Sequence, residues 1–186
     1  MHSSNSKTTC ALLDTCVLAP MPLCDTLLRC AEGALFNPLW SSETLVELRR
    51  TLRKFGRSEA QIDRRFKFME AAFPEACVHL SDALLNSIPE IPDPGDRHVI
   101  AAAVAGRADV IVTFNLRHFP SSILGGKGIE VRCPDVFLVE LFLPSPPRLV
   151  EILDRQAIDI RQPKQILLDA LRGGLPAFVA LVENEK

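Results

Sequence analysis

Apolar residues fall along this chain in two rhythms, short unbroken runs and stripes at helical spacing. Cys10-Ala11-Leu12-Leu13 is an unbroken run that stops at Asp14. It predicts a first, central strand with Asp14 and Thr15 at its carboxyl end. Val110-Ile111-Val112-Thr113 is rich in β-branched residues and predicts a second buried strand. Shorter runs over residues 35–40, 77–80 and 129–131 predict further strands or connectors. Between the runs lie the stripes. Leu27, Leu28 and Ala31 mark the inner face of a helix over 23–32, after a turn set by Pro20 and Pro22. Leu45, Leu48, Leu52 and Phe55 mark a helix capped by Ser41 or Ser42 and ended by Gly56. Ile62, Phe66 and Met69 or Phe73 mark another, capped by Ser58 and closed by Pro74, so the two read as a hairpin. Residues 81–91 are ambiguous, with room for one helical turn before Pro89 and Pro92.

The most informative stripe begins at Asp93-Pro94-Gly95-Asp96-Arg97-His98 and runs through Val99, Ile100, Ala103 and Val104 to Gly106. Asp93 is a candidate N-cap, Pro94 suits the first helical position, and Asp96 falls in the first turn, where the helix dipole favours a carboxylate. The connection to residues 110–113 is so short that the chain must reverse. The start of this helix therefore lies beside the carboxyl end of that strand, the edge at which open parallel sheets bind ligands. Asp93, Asp96, Thr113 and Asn115 converge there. Beyond residue 134, where Pro134 starts a helix, two further helical patterns follow, over 148–156 and 163–171, and Gly173-Gly174 separates them from a last apolar segment, 177–182. Strands alternating with helices predict an α/β fold, a three-layer α/β/α sandwich with a mostly parallel sheet, over residues 9–143. Residues 144–186 form a C-terminal helical extension, and residues 1–8 are polar and predict a frayed end.

Composition narrows the chemistry. The chain has 186 residues, 47% apolar, with a formal charge of -2. No global field draws in nucleic acid, so any such contact needs a local patch or a bound metal. Tyrosine is absent and Trp40 is the one tryptophan, which disfavours an aromatic stacking platform. The six cysteines form no Cys-x-x-Cys pair and no zinc-like spacing, and no secretory signal or membrane span is legible. These features fit buried free thiols in a reducing cytosol, and the protein is expected to be cytoplasmic.

Asp14, Glu47 and Asp96 are the candidate catalytic carboxylates. Meeting at one sheet edge, they would repel one another unless a cation held them, and hard oxygens suit Mg²⁺ or Mn²⁺. Such a site activates water and stabilises displacement at phosphorus. Each acid also has a plainer reading: Asp14 as the cap of a turn, Asp93 and Asp96 as cap and dipole partner, and Glu47 as a solvated partner of Arg50.

The combination resembles the PIN-domain ribonucleases, specifically the VapC-like toxin group. The matching segments are Leu12-Leu13-Asp14-Thr15, then Ser42-x-x-x-x-Glu47-Leu48, then Asp93-Pro94-x-Asp96-Arg97-His98-x-x-Ala101-Ala102-Ala103, and last Val112-Thr113-x-Asn115-x-x-x-Phe119. The resemblance implies an Mg²⁺- or Mn²⁺-dependent endoribonuclease cleaving single-stranded RNA, paired with a protein antitoxin and expected as a homodimer. It assigns Asp14, Glu47 and Asp96 to metal binding, Thr113 and Asn115 to the site beside the metal, and Asp93 to an alternative ligand. Many members carry a fourth carboxylate where this chain has His118, which puts a second metal ion in doubt. His118 reads as a surface histidine, as a ligand through water, or as a group acting on the leaving oxygen. His98 reads as pointing away from the site, and the cysteines as without chemistry.

Basic residues from Arg49 to Lys67 lie on the hairpin beside Glu47. They form a solvated face, a phosphate track, or a surface for the antitoxin's acids. Two other functions stay open on the residues alone: a housekeeping RNA-processing nuclease, and a catalytically silent module that binds RNA or a partner.

Overall fold

A computed structural model describes residues 8–185. The frayed end expected over 1–8 falls, apart from Thr8, outside those residues. At the centre is β1 (Cys10–Leu13), paired in parallel with β2 (Asn37–Ser41) on one side and β4 (Val110–Val112) on the other. Beyond β2 lies β3 (Cys77–Val78), and beyond β4 lies β5 (Glu130–Arg132), giving a parallel order β3-β2-β1-β4-β5. Leu13 is in register with Val112, so the two central strands end level.

Alternation along the strands divides the core in two. Leu12 and Ile111 face a layer made by α5 (Asp82–Ser87), α6 (Arg97–Ala105) and α7 (Ser121–Leu124). Ala11, Leu13, Val110 and Val112 face the opposite layer. That layer holds α1 (Thr15–Leu18), α2 (Met21–Glu32), α3 (Ser42–Lys54), α4 (Glu59–Ala72) and α8 (Pro134–Phe142). It also takes in α9 (Pro146–Asp159), α10 (Lys164–Arg172) and α11 (Pro176–Asn184). The fold is the expected α/β/α sandwich, with a wholly parallel sheet and a helical C-terminal extension.

Local chemistry explains most boundaries. Ser41 caps α3 by accepting from the Thr44 N–H at 3.1 Å, and Ser58 and Gln61 form a reciprocal capping box on α4. Gly56 takes the left-handed conformation after α3, with φ +74°. Elsewhere the sequence reading needs correction. The α2 helix starts at Met21 rather than residue 23, because Pro22 fits inside a first turn that needs no N–H from it. The helix expected from Asp93 begins only at Arg97. Residues Pro94–Asp96 form a tighter 3₁₀ turn that Asp93 caps through the Gly95 N–H at 2.9 Å. On α6, Ala101 and Ala102 are buried with the expected stripe while Val104 is only half-buried, because the helix lies between the central strands and α5.

The C-terminal helices are keyed to the sandwich by polar bonds as well as apolar packing. Thr26 of α2 donates to Gln156 of α9 at 2.9 Å, with both residues buried. The Asp135 carboxylate accepts from the N–H groups of Ala177 and Phe178 at 3.1 and 2.8 Å, where a negative charge complements the start of α11. Phe142 and Phe178 meet edge to face at 6.1 Å.

Candidate active site

The chain leaves β1 to build β2 and β3 on one side, then crosses to build β4 and β5 on the other. The crevice at the carboxyl ends of β1 and β4 is therefore the topological switch point of the sheet. Asp14 lies in it, 3% exposed, with its N–H bonded to the Val112 carbonyl at 3.2 Å. Its carboxylate makes no cap bond to α1, so the plainer capping role is not the one the fold uses. Instead Oδ2 accepts from the Thr113 hydroxyl at 2.6 Å and from the Cys16 thiol at 3.1 Å. Thr113 is fully buried and accepts in turn from the Asn115 N–H at 3.0 Å, so Asn115 enters through its backbone. Burial, and then the charge of Asp14, push the Cys16 thiol up to about 12. Cys16 is thus a protonated donor that orients Asp14, not a nucleophile.

Glu47 stands on α3 at the rim. Its Oε2 accepts from the Thr15 hydroxyl at 2.8 Å and lies 3.8 Å from His98 Nε2; Arg50 is not its partner. His98 does not point away. Its Nδ1–H donates to the Gly95 carbonyl at 2.7 Å, which turns Nε2, a buried atom without a hydrogen-bond partner, toward Glu47.

On the other flank, the Asp96 Oδ2 accepts from His118 Nδ1 at 2.7 Å, and Asp93 Oδ2 lies 3.7 Å from the same nitrogen. Asp96 occupies the N-cap position of α6 yet makes no cap bond, since its carboxylate is turned to His118. Burial raises the Asp96 pKa, the His118 bond pulls it down, and the charges of Asp14 and Asp93 raise it further. His118 is therefore not a surface histidine, as its ring is mostly covered and engaged with two carboxylates.

The fold thus gathers Asp14, Asp93, Asp96, Thr113 and Asn115 at one crevice, with Glu47 reaching it through Thr15. The donor set suits a divalent cation: Asp14 and Asp93 bear electrostatically on a partly desolvated Asp96, and the orphaned His98 nitrogen faces Glu47 at the rim. Sequence reasoning missed the roles of Cys16 and His98, although each lies two residues from a candidate acid, because side-chain direction was not legible; His118 it left between a surface residue, a ligand through water and a group acting on the leaving oxygen.

The basic hairpin is partly neutralised. Arg49 pairs with Glu59 and Asp63, and Arg53 with Glu59, while Arg65 donates to the last carbonyls of α1, Leu18 and Ala19. Arg50, Lys54, Arg57 and Lys67 are exposed. A groove of about 930 Å³ runs between α2 and the hairpin, and none of the candidate ligands lines it.

A parallel α/β sandwich with carboxylates collected at its switch point defines a class of acidic-centre proteins. The sequence model of the PIN domain family matches residues 9–117, and the chain belongs to that family. It is 41% identical over 88 residues to the Mycobacterium tuberculosis protein named "Putative ribonuclease VapC50". That match takes in 46% of this chain and 52% of the relative, so the chain spans about half the length of the relative it matches. No solved structure matches the chain.

Proposed function

We propose that this protein is a divalent-metal-dependent endoribonuclease that cleaves single-stranded RNA, and the toxin half of a toxin–antitoxin pair. The observation that carries the reading is the convergence of Asp14 and Asp96 at the β1/β4 crevice, with a buried hydroxyl from Thr113 spent on holding Asp14. Membership of the PIN family and the likeness to a protein named as a ribonuclease support the choice of substrate. Asp14 and Asp96, with Asp93 and Glu47 beside them, would hold Mg²⁺ or Mn²⁺, and such an ion supplies positive charge to the scissile phosphate and acidifies an attacking water.

The chain's own residues set the geometry. Thr113 and Cys16 both donate to one oxygen of Asp14, which fixes the carboxylate's plane. The Asn115 N–H fixes Thr113. Thr15 orients Glu47 at the rim, where it can accept a proton from an incoming water. Water is the nucleophile in this scheme. The Cys16 thiol is internally bonded and kept protonated by burial, so it offers no nucleophile and no covalent intermediate is required.

Partner and setting follow the same reading. The groove beside the hairpin is lined by exposed Met21, Phe55 and Phe68, with Arg57 and Arg64 also in its lining, which suits an amphipathic antitoxin helix carrying acids. A homodimer and a cytoplasmic setting complete the proposal. All six cysteines are free, as a reducing compartment requires, and among the described residues no helix is long and apolar enough to cross a membrane.

The test is cleavage of a single-stranded RNA pool by wild type and Asp96→Asn, with Mg²⁺, with Mn²⁺ and with EDTA. Cleavage by wild type alone, abolished by EDTA, is the expected result. Equal cleavage by both proteins would remove Asp96 from the chemistry.

A further inference from the structure

The acid that many PIN proteins carry just before the phenylalanine is a histidine in this chain, and the fold uses it. His118 lies at the end of a 3₁₀ turn, Leu116–His118, that begins three residues beyond Thr113. Its Nδ1 is 2.7 Å from Asp96 Oδ2 and 3.7 Å from Asp93 Oδ2. One ligand atom from each of Asp93, Asp96 and His118 lies within 4.8 Å of the other two, and all three side chains are half-buried. This trio includes Asp96 but neither Asp14 nor Glu47. It also differs chemically from a purely acidic set, because one donor is an imidazole nitrogen.

We propose that Asp93, Asp96 and His118 form a mixed oxygen–nitrogen cation subsite that makes this protein select a transition-metal dication, Mn²⁺ or Zn²⁺, over Mg²⁺, with His118 Nδ1 as a direct ligand. The inference rests on the metal-dependent reading above and deepens it.

Three observations support it. Imidazole binds borderline transition metals well, whereas Mg²⁺ strongly prefers oxygen and keeps its waters. The contact between Nδ1 and Asp96 holds the ring beside the two carboxylates, so little reorganisation is needed to replace the proton between them with a cation. The ring's other nitrogen is nearly uncommitted: Arg117 Nε reaches it only at 3.4 Å in an exposed contact, which gives way when Nε2 carries the proton.

The experiment is calorimetric titration of Mg²⁺, Mn²⁺ and Zn²⁺ into wild type, His118→Asp and Asp14→Asn. It is joined by ¹⁵N NMR of the wild-type histidine rings during Zn²⁺ addition, a readout that needs neither RNA nor a folded variant. The expected result is a Mn²⁺-over-Mg²⁺ preference that shrinks about tenfold or more in His118→Asp, the scale on which metal sites respond to changes in their ligand surroundings. The His118 Nδ1 resonance moves with Zn²⁺. Metal binding that depends on Asp14 but leaves the His118 nitrogens and the Mn²⁺/Mg²⁺ ratio unchanged overturns this subsite alone. Absence of binding by every cation overturns the metal-dependent reading as well.

Discussion

Asp96 is held in the folded protein under an electrostatic penalty. Burial raises its pKa above the ordinary aspartate value of about 3.9, so the folded chain holds that proton more tightly than the unfolded chain does. The sign follows directly: stability from this residue is greatest below the unfolded pKa, falls as pH rises through the folded one, and stays low at neutral pH. Asp96→Asn should therefore raise the metal-free melting temperature at pH 7, with the gain vanishing below about pH 4, as scanning calorimetry would read. The same change should abolish stabilisation by Mn²⁺. Thr113→Val tests the opposite kind of residue. It leaves the buried Asp14 carboxylate short of its 2.6 Å donor and should cost about 1–3 kcal/mol in urea unfolding, while Thr113→Ser keeps the bond. Asp14 and Thr113 were legible because each ends an unbroken apolar run. Cys16 and the direct His118–Asp96 contact were not, because Cys16 meets Thr113 across 97 positions and His118 meets Asp96 across 22, both only through the fold.

At the scale of elements, the long amphipathic helices were legible and the short pieces were not. The α3 and α4 helices each repeat their apolar face for several turns and carry a serine cap that names their start. The α1 and α7 segments span four residues each, too few for any period to show. The 3₁₀ turn before α6 was hidden for another reason: Asp93 and Pro94 announce a helix start without specifying which turn follows. The caps can be weighed. Ser41 is fully buried and serves the first turn of the helix that carries Glu47, so Ser41→Ala should cost about 0.5–2 kcal/mol by urea denaturation. The ion pairs of the hairpin should matter less. Arg53→Ala breaks an exposed contact with Glu59 that solvent screens, and should leave the urea midpoint nearly unchanged.

At the scale of the whole molecule, the extension beyond residue 143 is where the pattern said least about role, since amphipathic stripes do not name what they cover. The structure places Leu149, Leu153, Leu167 and Phe178 in the same apolar cluster as Leu13 and Phe36. Removing residues 144–186 would expose that cluster and break the Thr26–Gln156 bond. The shortened chain should lose its cooperative thermal transition by circular dichroism, and a transition at the wild-type temperature would show the sandwich to be self-sufficient. The parallel sheet, its order and its switch point together bring Asp14 and Asp96 to one crevice, and the proposed chemistry stands on that meeting. The most direct test is an anomalous difference map from crystals grown with Mn²⁺. A peak against the carboxylates of Asp14 and Asp96 is the result expected; Mn²⁺ bound elsewhere, with that crevice filled only by water, would contradict it.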